Sequence, residues 1–530
     1  MQVPVENDRF ARRMTSGFIL LGIAIRVIRY CLDFPLWADE VFVCQNFWDR
    51  DFVTILKQLE NGQICPPLFL WCQLAAFKVF GSSDMAMRFF PLLASAFALI
   101  GFRKIAMALL SPTPAMLAVG LLAVAAWPVT MSTFAKPYSF DLLMAVGLQL
   151  LAVRCLESRA TLSPGRSSAL PLLAIAMPLA ILGSYPAVFV AGGGALALLP
   201  RIWRTPGLAA KIWFALAGVL MLAAFAFNLQ VGKEQSDGEA VPIRNFLLDY
   251  WKDGFPPAEW WNWPVWLLEA HTGRMMAYPV GDAHGGSTLT FIFFCVGIYL
   301  WCREKRWALL VLCLVPFLLN LVAAILLKYP YAACGRLSQH LAPAICLLTA
   351  SGIAKVIDWR FTLPETRRFV VRAICGLYVA IGVVTIGMAI ARPYHDNEAK
   401  WLREIARQLQ TVATNRGDRI IVIGEEQETM NILRWYLKRL TPETQWWKGV
   451  GEPSIRGEDN RIWIIETWAD DGTRLKEEVS RKPSLPKDWI VRGGAQYTLR
   501  PEKDGDPFRH CLIAVYGSPD SPAAVLSSGP

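Results

Sequence analysis

The sequence predicts a polytopic α-helical membrane protein carrying a soluble α/β tail, and three observations lead there. Of its 530 residues, 54% are hydrophobic and only 18% charged, where a soluble protein is usually about a quarter charged. Apolar runs of roughly 17 to 23 residues recur along the chain, each long enough to cross the ~30 Å hydrocarbon core as a helix. These runs are unbroken, whereas the strands of a membrane barrel would alternate over about ten residues.

About eleven spans are expected, near residues 16–33, 89–109, 114–132, 138–156, 169–184, 186–201, 211–231, 287–302, 307–327, 338–356 and 369–391. The fifth and sixth share the break Ser184-Tyr185-Pro186 and could form one bent hairpin. The first run follows a basic start, but it contains Arg26 and Arg29 and lacks a small-residue cleavage site, so it is expected to remain as a helix.

Charge placement tests this register independently. Alternate connections carry Arg9/Arg12/Arg13, Arg103/Lys104, Arg154/Arg159/Arg166 and Arg201/Arg204/Lys211, then Arg303/Lys305/Arg306 and Lys355/Arg360/Arg367/Arg368/Arg372. The positive-inside rule places these on the cytoplasmic side, with the N-terminus inside and the C-terminal tail outside a bacterial inner membrane. The net charge of +10 is therefore mostly topology. No basic stripe with interleaved aromatics marks a nucleic-acid surface.

Residues 1–391 form the expected membrane domain, with two long outward loops at 34–88 and 232–286. In the first loop, Trp48, Phe52, Ile55 and Leu59 recur at helical spacing among charged residues, as in an amphipathic helix on the membrane surface. After Pro66-Pro67, Leu70, Leu74 and Phe77 begin a second apolar face. The second loop holds Trp251, Trp260, Trp261, Trp263 and Trp266, with His271, Arg274 and His284. Clustered Trp reads first as an interfacial belt, and second as a platform for a sugar ring or lipid tail.

Residues 392–530 have the charge density of a soluble extracytoplasmic domain. Strands are expected at 419–423 and 461–465, with helices near 397–415, 427–441 and 470–481, an α/β alternation. Neither GxGxxG nor a P-loop occurs, so no nucleotide is indicated. The twelve Cys include no CxxC pair and no zinc spacing; Cys44 and Cys65 both fall in the first outward loop, where they could form a disulfide.

Chemistry concentrates at the outward ends of the spans. Asp39-Glu40 follows the first run, Lys136-Pro137-Tyr138 precedes the fourth, Tyr331 and Arg336 precede the tenth, and Asp84 and Arg88 open the second. Adjacent carboxylates at a helix mouth are costly to desolvate, although a plain helix-end pair is the simpler reading of Asp39-Glu40 taken alone. Lys136 and Arg336 singly read as snorkelling end residues. Two cations and two carboxylates at one depth instead describe a site for an anionic head group beside a general base.

Outside the cytoplasm nucleotide sugars are scarce, so group transfer there takes a lipid-activated donor. A sugar on a polyprenyl phosphate is such a donor, transferred to a cell-envelope acceptor (lipid, polysaccharide or protein). A phosphate leaving group needs positive charge from Arg336, Lys136 or a metal. The acceptor hydroxyl needs a base, Asp39, and a single displacement would invert the anomeric centre.

The runs Leu36-Trp37-Ala38-Asp39-Glu40, Pro66-Pro67-Leu68-Phe69 and Asp84…Arg88-Phe89-Phe90-Pro91 resemble the opening of the GT-C glycosyltransferases. The nearest group is the bacterial relatives of the protein O-mannosyltransferases and lipid A aminoarabinose transferases. The turns Lys136-Pro137-Tyr138-Ser139 and Tyr329-Pro330-Tyr331…Gly335-Arg336 also resemble that group. The resemblance implies a membrane hexosyl or pentosyl transferase with a GT-C fold, an outward cavity and a polyprenyl-phosphate-sugar donor. It puts Asp39 at the catalytic carboxylate, Glu40 at its acidic neighbour, and Lys136, Tyr138 and Arg336 near the donor phosphate. Asp84, Arg88, Tyr331, His271 and Arg274 fall near the site. The family often has Glu where this chain has Asp84, a shorter reach.

Some members of that family use a divalent cation, magnesium or manganese, for which Asp39 and Glu40 would be the ligands. Glu40 thus stays open between metal ligand, acceptor contact and electrostatic neighbour. The rival readings are a transporter or flippase, which predicts mid-helix charges and an internal repeat; a polymerase or ligase of lipid-linked polysaccharide, which would rely on outward Arg and His; and a non-enzymatic assembly protein. Sugar, acceptor and oligomeric state are not specified by the sequence.

Overall fold

The expected spans all fold as helices in the computed structural model, which describes residues 3–157, 169–236, 248–391, 397–412, 418–424, 427–440, 444–447, 461–470, 490–499 and 508–517. Two compact units result: residues 1–32 with 49–391, and residues 33–48 with 392–530. The acidic loop segment 33–48, expected with the membrane domain, thus clusters with the tail.

In the first unit, eight helices among the described residues are long and apolar enough to cross a membrane: Asp8–Cys31, Asp84–Leu109, Tyr138–Glu157, Ala187–Arg204, Ala209–Ser236, Trp307–Ile325, Gln339–Arg360 and Pro364–Ala391. The other three expected spans are the shorter apolar helices Pro112–Val124, Ala169–Gly183 and Thr288–Arg303. This is a multi-pass membrane protein.

The expected span 114–132 is broken in two, because Pro128 lacks an N–H and its ring would clash with the carbonyl of Val124. The first piece ends at Val124, Ala125 is extended, and a short helix Ala126–Met131 follows. Ending a helix inside the bundle leaves carbonyls without helical partners. Arg26, fully buried on the first helix, supplies donors: Nη1 bonds Ala123 O at 2.9 Å and Gly22 O at 2.8 Å, Nη2 bonds Leu122 O at 3.4 Å, and Nε bonds Ser95 Oγ at 2.8 Å. Ser184-Tyr185-Pro186 separates two distinct helices, Ala169–Gly183 and Ala187–Arg204.

The amphipathic helix expected over Trp48 to Leu59 does not form. One short 3₁₀ turn, Thr54–Leu56, stands there instead. Asp51 Oδ1 accepts from the N–H groups of Val53 and Thr54 at 2.9 and 2.7 Å, a side-chain turn that competes with helix continuation. Ile55 and Leu59 are nevertheless buried. The second apolar face is the helix Pro67–Phe80, which begins on its proline and buries Leu70 and Leu74.

In the second unit the strands Asp418–Gly424, Thr444–Trp447, Arg461–Asp470, Ile490–Leu499 and Phe508–Gly517 (β1 to β5) form one sheet of order β2-β1-β3-β5-β4. β1 runs parallel to β2 and β3, and β5 is antiparallel to both β3 and β4. The helices Asn397–Val412 and Gln427–Leu440 pack on each other. The first buries Leu402, Ile405, Ala406 and Leu409 and the second Ile432, Leu433, Tyr436 and Leu437, spacings that define one helical face. The helix expected at 470–481 lies outside the described residues.

Candidate functional site

The site residues of the first unit gather around two breaks at helix ends. Tyr138 opens the helix Tyr138–Glu157, and its ring lies 5.8 Å from the Arg336 guanidinium. The Trp251 ring lies 4.7 Å from the same guanidinium. Arg336 therefore contacts two aromatic faces, which hold its plane by cation–π attraction.

Three local features bring those groups together. Gly335 rests against the Trp127 indole so closely that a Cβ there would lie 2.3 to 2.5 Å from ring atoms. Tyr331 N–H donates to Gly254 O at 2.7 Å, tying the turn 330–336 to the segment that carries Trp251. A Cβ on Gly254 would meet both Pro330 and Ala333 at 2.7 Å. Small residues at both contacts allow the two backbones to approach.

Lys136, 6% exposed, donates from Nζ to Gln63 Oε1 at 2.7 Å. The segment bearing Gln63 is pinned by Gln235, whose Oε1 accepts from Cys65 N at 2.9 Å and whose Nε2 donates to Cys65 O at 3.1 Å. Gln63 and Gln235 were not legible as site residues in the sequence, since a lone Gln beside a loop Gly carries no pattern.

Tyr331 and His271 meet directly, Oη to Nε2 at 3.0 Å, beside the Trp266 ring. His271 Nδ1 lies 2.7 Å from Leu267 O, a contact that requires Nδ1 to carry the proton. Nε2 is then the acceptor and Tyr331 Oη the donor. Burial lowers the His271 pKa below its usual value, keeping this tautomer neutral. Arg274 is not part of the cluster; it forms an exposed pair with Asp282 at 3.4 Å. Asp84 and Arg88 are both buried, one turn apart at the start of the helix Asp84–Leu109, where Ser83 Oγ caps Ala86 N at 3.1 Å.

A further polar group lies deeper. Asp141, Ser184 and His340 are all buried, with the Asp141 carboxyl beside the Ser184 hydroxyl. The His340 ring sits 5.7 Å from Phe189 and 6.1 Å from Tyr329. Its only sequence signal is His340 within an otherwise apolar run.

In the second unit, Asp39 and Glu40 open the short helix Ala38–Cys44. Glu40 Oε2 accepts from Trp37 N at 3.3 Å, so this carboxylate caps its own helix. The helix packs on Gln427–Leu440 of the tail. Leu36 N–H donates to Tyr436 Oη at 2.8 Å, Arg403 Nη1 donates to Asp33 O at 2.8 Å, and the Trp48 and Trp435 rings lie 5.6 Å apart. Asp39, next to Glu40, is half-buried. Successive side chains on a helix diverge, so the pair alone does not make a chelating site for a divalent cation. No group of three or more His, Cys, Asp or Glu suited to a metal occurs among the described residues. Cys44 and Cys65, which the sequence left open as a pair, are both free thiols in the structure.

Comparison with solved structures settles the architecture. Over 94% of this chain and 98% of the other, it superposes on ArnT from Cupriavidus metallidurans in the apo state, with TM-score 0.55 and 12% identity. The same protein bound to undecaprenyl phosphate gives TM-score 0.56 and 13% identity over the same shares. The chain has the ArnT fold. The polytopic helical membrane architecture expected from the sequence is thereby borne out. A family model for dolichyl-phosphate-mannose-protein mannosyltransferases matches residues 65–230. That match covers Asp84, Arg88, Lys136 and Tyr138. No curated protein matches the chain.

Proposed function

We propose that this protein is a membrane glycosyltransferase that moves one hexosyl or pentosyl group from a polyprenyl-phosphate donor to an extracytoplasmic cell-envelope acceptor. The observation that carries the reading is Arg336 held between Tyr138 and Trp251. It occurs in a fold shared with a protein solved with undecaprenyl phosphate. In this reading the membrane is a bacterial inner membrane, with the N-terminus inside and the tail outside.

Asp39 takes the proton of the acceptor hydroxyl as that oxygen bonds to the anomeric carbon. The bond from that carbon to the phosphate oxygen breaks in the same step, and the lipid phosphate leaves with its negative charge. One displacement on the face opposite the leaving group inverts the anomeric centre. Arg336 and Lys136 stabilise the departing phosphate, and Tyr138 orients Arg336. Glu40 holds the turn that presents Asp39. Asp84, Arg88, Tyr331 and His271 support the surrounding walls.

Asp39→Asn tests the assignment. It preserves shape and removes the base, so transfer should fall by roughly 10²- to 10⁴-fold. Mass spectrometry of cell-envelope glycoconjugates, in cells complemented with wild type or variant, reads the product. Full product from a normally expressed Asp39→Asn protein refutes the role. Arg336→Ala should weaken donor use more than acceptor use.

A further inference from the structure

A pocket that the proposed chemistry leaves unused lies at the opposite end of the membrane bundle from Lys136 and Arg336. There the start of the first helix, the turn 109–113, the turn 304–306 and the turn 358–364 enclose a pocket of about 880 Å³. That volume falls within the range of small-ligand sites, roughly 300–1,000 Å³.

Its walls are strongly cationic. Arg9, Arg13, Lys355, Arg368 and Arg372 line it and have no carboxylate partner among the described residues. The two lining carboxylates are engaged by other lining cations: Glu304 lies 3.9 Å from Arg306 and Asp358 lies 3.2 Å from Arg367. Arg368 Nε is buried and bonds to nothing among the described residues. The Arg372 guanidinium sits 5.6 Å from the Phe10 ring, an orientation that fixes the charge.

The positive-inside rule accounts for basic residues at these helix ends, but it does not require them to converge on one concavity. The rest of the lining mixes apolar side chains, including Leu110, Leu300 and Val371, with the hydroxyls of Ser111, Thr113 and Ser351. Trp307, Trp359 and Phe369 are largely exposed on the helices that bound the pocket, as side chains at a membrane–water boundary are. A cationic hollow bordered by exposed aromatic side chains at the membrane boundary suits a phosphate attached to acyl chains better than one free in water.

We propose that this pocket binds the phosphate head group of an anionic membrane lipid. Basic pockets between membrane helices on the positively charged side recognise such head groups, each cation near the surface contributing about a fivefold gain in binding. The site is separate from the transfer chemistry and stands whether or not that reading holds.

The test uses the purified full chain in detergent, with native mass spectrometry read against added cardiolipin or phosphatidylcholine. Wild type is expected to hold cardiolipin in clear preference to phosphatidylcholine. The triple variant Lys355→Gln/Arg368→Gln/Arg372→Gln should bind cardiolipin about a hundredfold more weakly. Arg204→Gln/Lys211→Gln/Arg303→Gln removes three cations outside the pocket and should bind as wild type does. Thr113→Phe fills the pocket while keeping every cation, and should also lose cardiolipin. Equal cardiolipin binding by wild type, the pocket triple and Thr113→Phe overturns the proposal, as does equal binding of the two lipids by wild type. Pyrophosphate distinguishes the source: if it raises the melting temperature of the wild type as much as cardiolipin does, the ligand is a soluble phosphate and the lipid assignment fails.

Discussion

Arg26→Met tests the physical account of the broken helix directly. The guanidinium makes four hydrogen bonds, two of them to Leu122 O and Ala123 O at the end of the helix Pro112–Val124. Gly22 O belongs to the first helix itself, and Ser95 Oγ keeps a contact with Pro128 O at 3.4 Å, so neither is orphaned by the change. The two helix-end carbonyls are. Each buried group left unpaired costs about 1–3 kcal/mol. Relief of the buried charge and the added apolar contact of Met offset part of that sum. A net loss of about 3 kcal/mol is expected, seen as a melting temperature several degrees lower in detergent. Ser95→Ala on the Arg26→Met background should add little, because the partner of Ser95 is already gone. A melting temperature equal to or above wild type for Arg26→Met would refute the reasoning, since it would mean that the carbonyls need no donor from the first helix.

The other predictions concern the site. Gly335→Ala should lower stability by about 1–3 kcal/mol and reduce transfer, because the new Cβ drives the turn off Trp127; recovery with Trp127→Leu in the same chain, measured by thermal melting and product yield, checks the cause. Gln63→Glu places a carboxylate against the Lys136 ammonium. It should hold the melting temperature while reducing donor use several-fold, whereas Gln63→Leu should lower the melting temperature. His271 is held neutral by burial, with a pKa below its ordinary 6.5. The unfolded chain therefore takes up a proton that the folded chain refuses, so stability is full above about pH 6.5 and falls as pH drops below it. Melting temperatures measured between pH 7.5 and 5.0 should show this decline in wild type and a shallower one in His271→Gln.

How much of this was legible in the sequence depended on the range of the interaction involved. Apolar length located a helix at every expected span, because crossing a bilayer is a local requirement on each segment. Pro128 was visible within the span 114–132, yet the run read as continuous since hydropathy does not register a missing N–H. The Trp48 to Leu59 pattern met helical spacing, but Asp51 turned the chain through a side-chain bond that periodicity cannot express. Tyr138, Arg336, Tyr331 and His271 came from motifs, and two contacts join them in pairs: Arg336 to Tyr138 and Tyr331 to His271. Trp251 was visible only as one of several Trp, because its selection depends on the tie from Gly254 to Tyr331. Arg274 had the right charge in the right loop and points instead to its neighbour Asp282.

These outcomes share one physical cause. Within a bilayer each break in a helix exposes backbone groups that water cannot satisfy, so polar side chains must be carried to that depth. Arg26 serves the end at Val124, Asn228 Nδ2 donates to Ile181 O at 2.5 Å, Asn320 Nδ2 donates to Pro330 O at 3.2 Å, and Gln339 Nε2 donates to Gly335 O at 2.8 Å. The last three of these bonds lie beside the turns that carry Ser184 and Arg336. Breaking the helices is what lets the chain fold back and present charged side chains at the helix ends, and the capping residues make those breaks affordable. Intramembrane polarity in this protein is therefore first a consequence of chain reversal. The buried side chains of Asp141, Ser184 and His340 take no part in these caps, and chain reversal does not explain them. If these groups only filled space, Asp141→Leu and His340→Phe should leave transfer unchanged and raise the melting temperature, because each change removes a buried polar group. A stabilised but inactive Asp141→Leu protein would instead place this carboxylate among the groups the reaction uses.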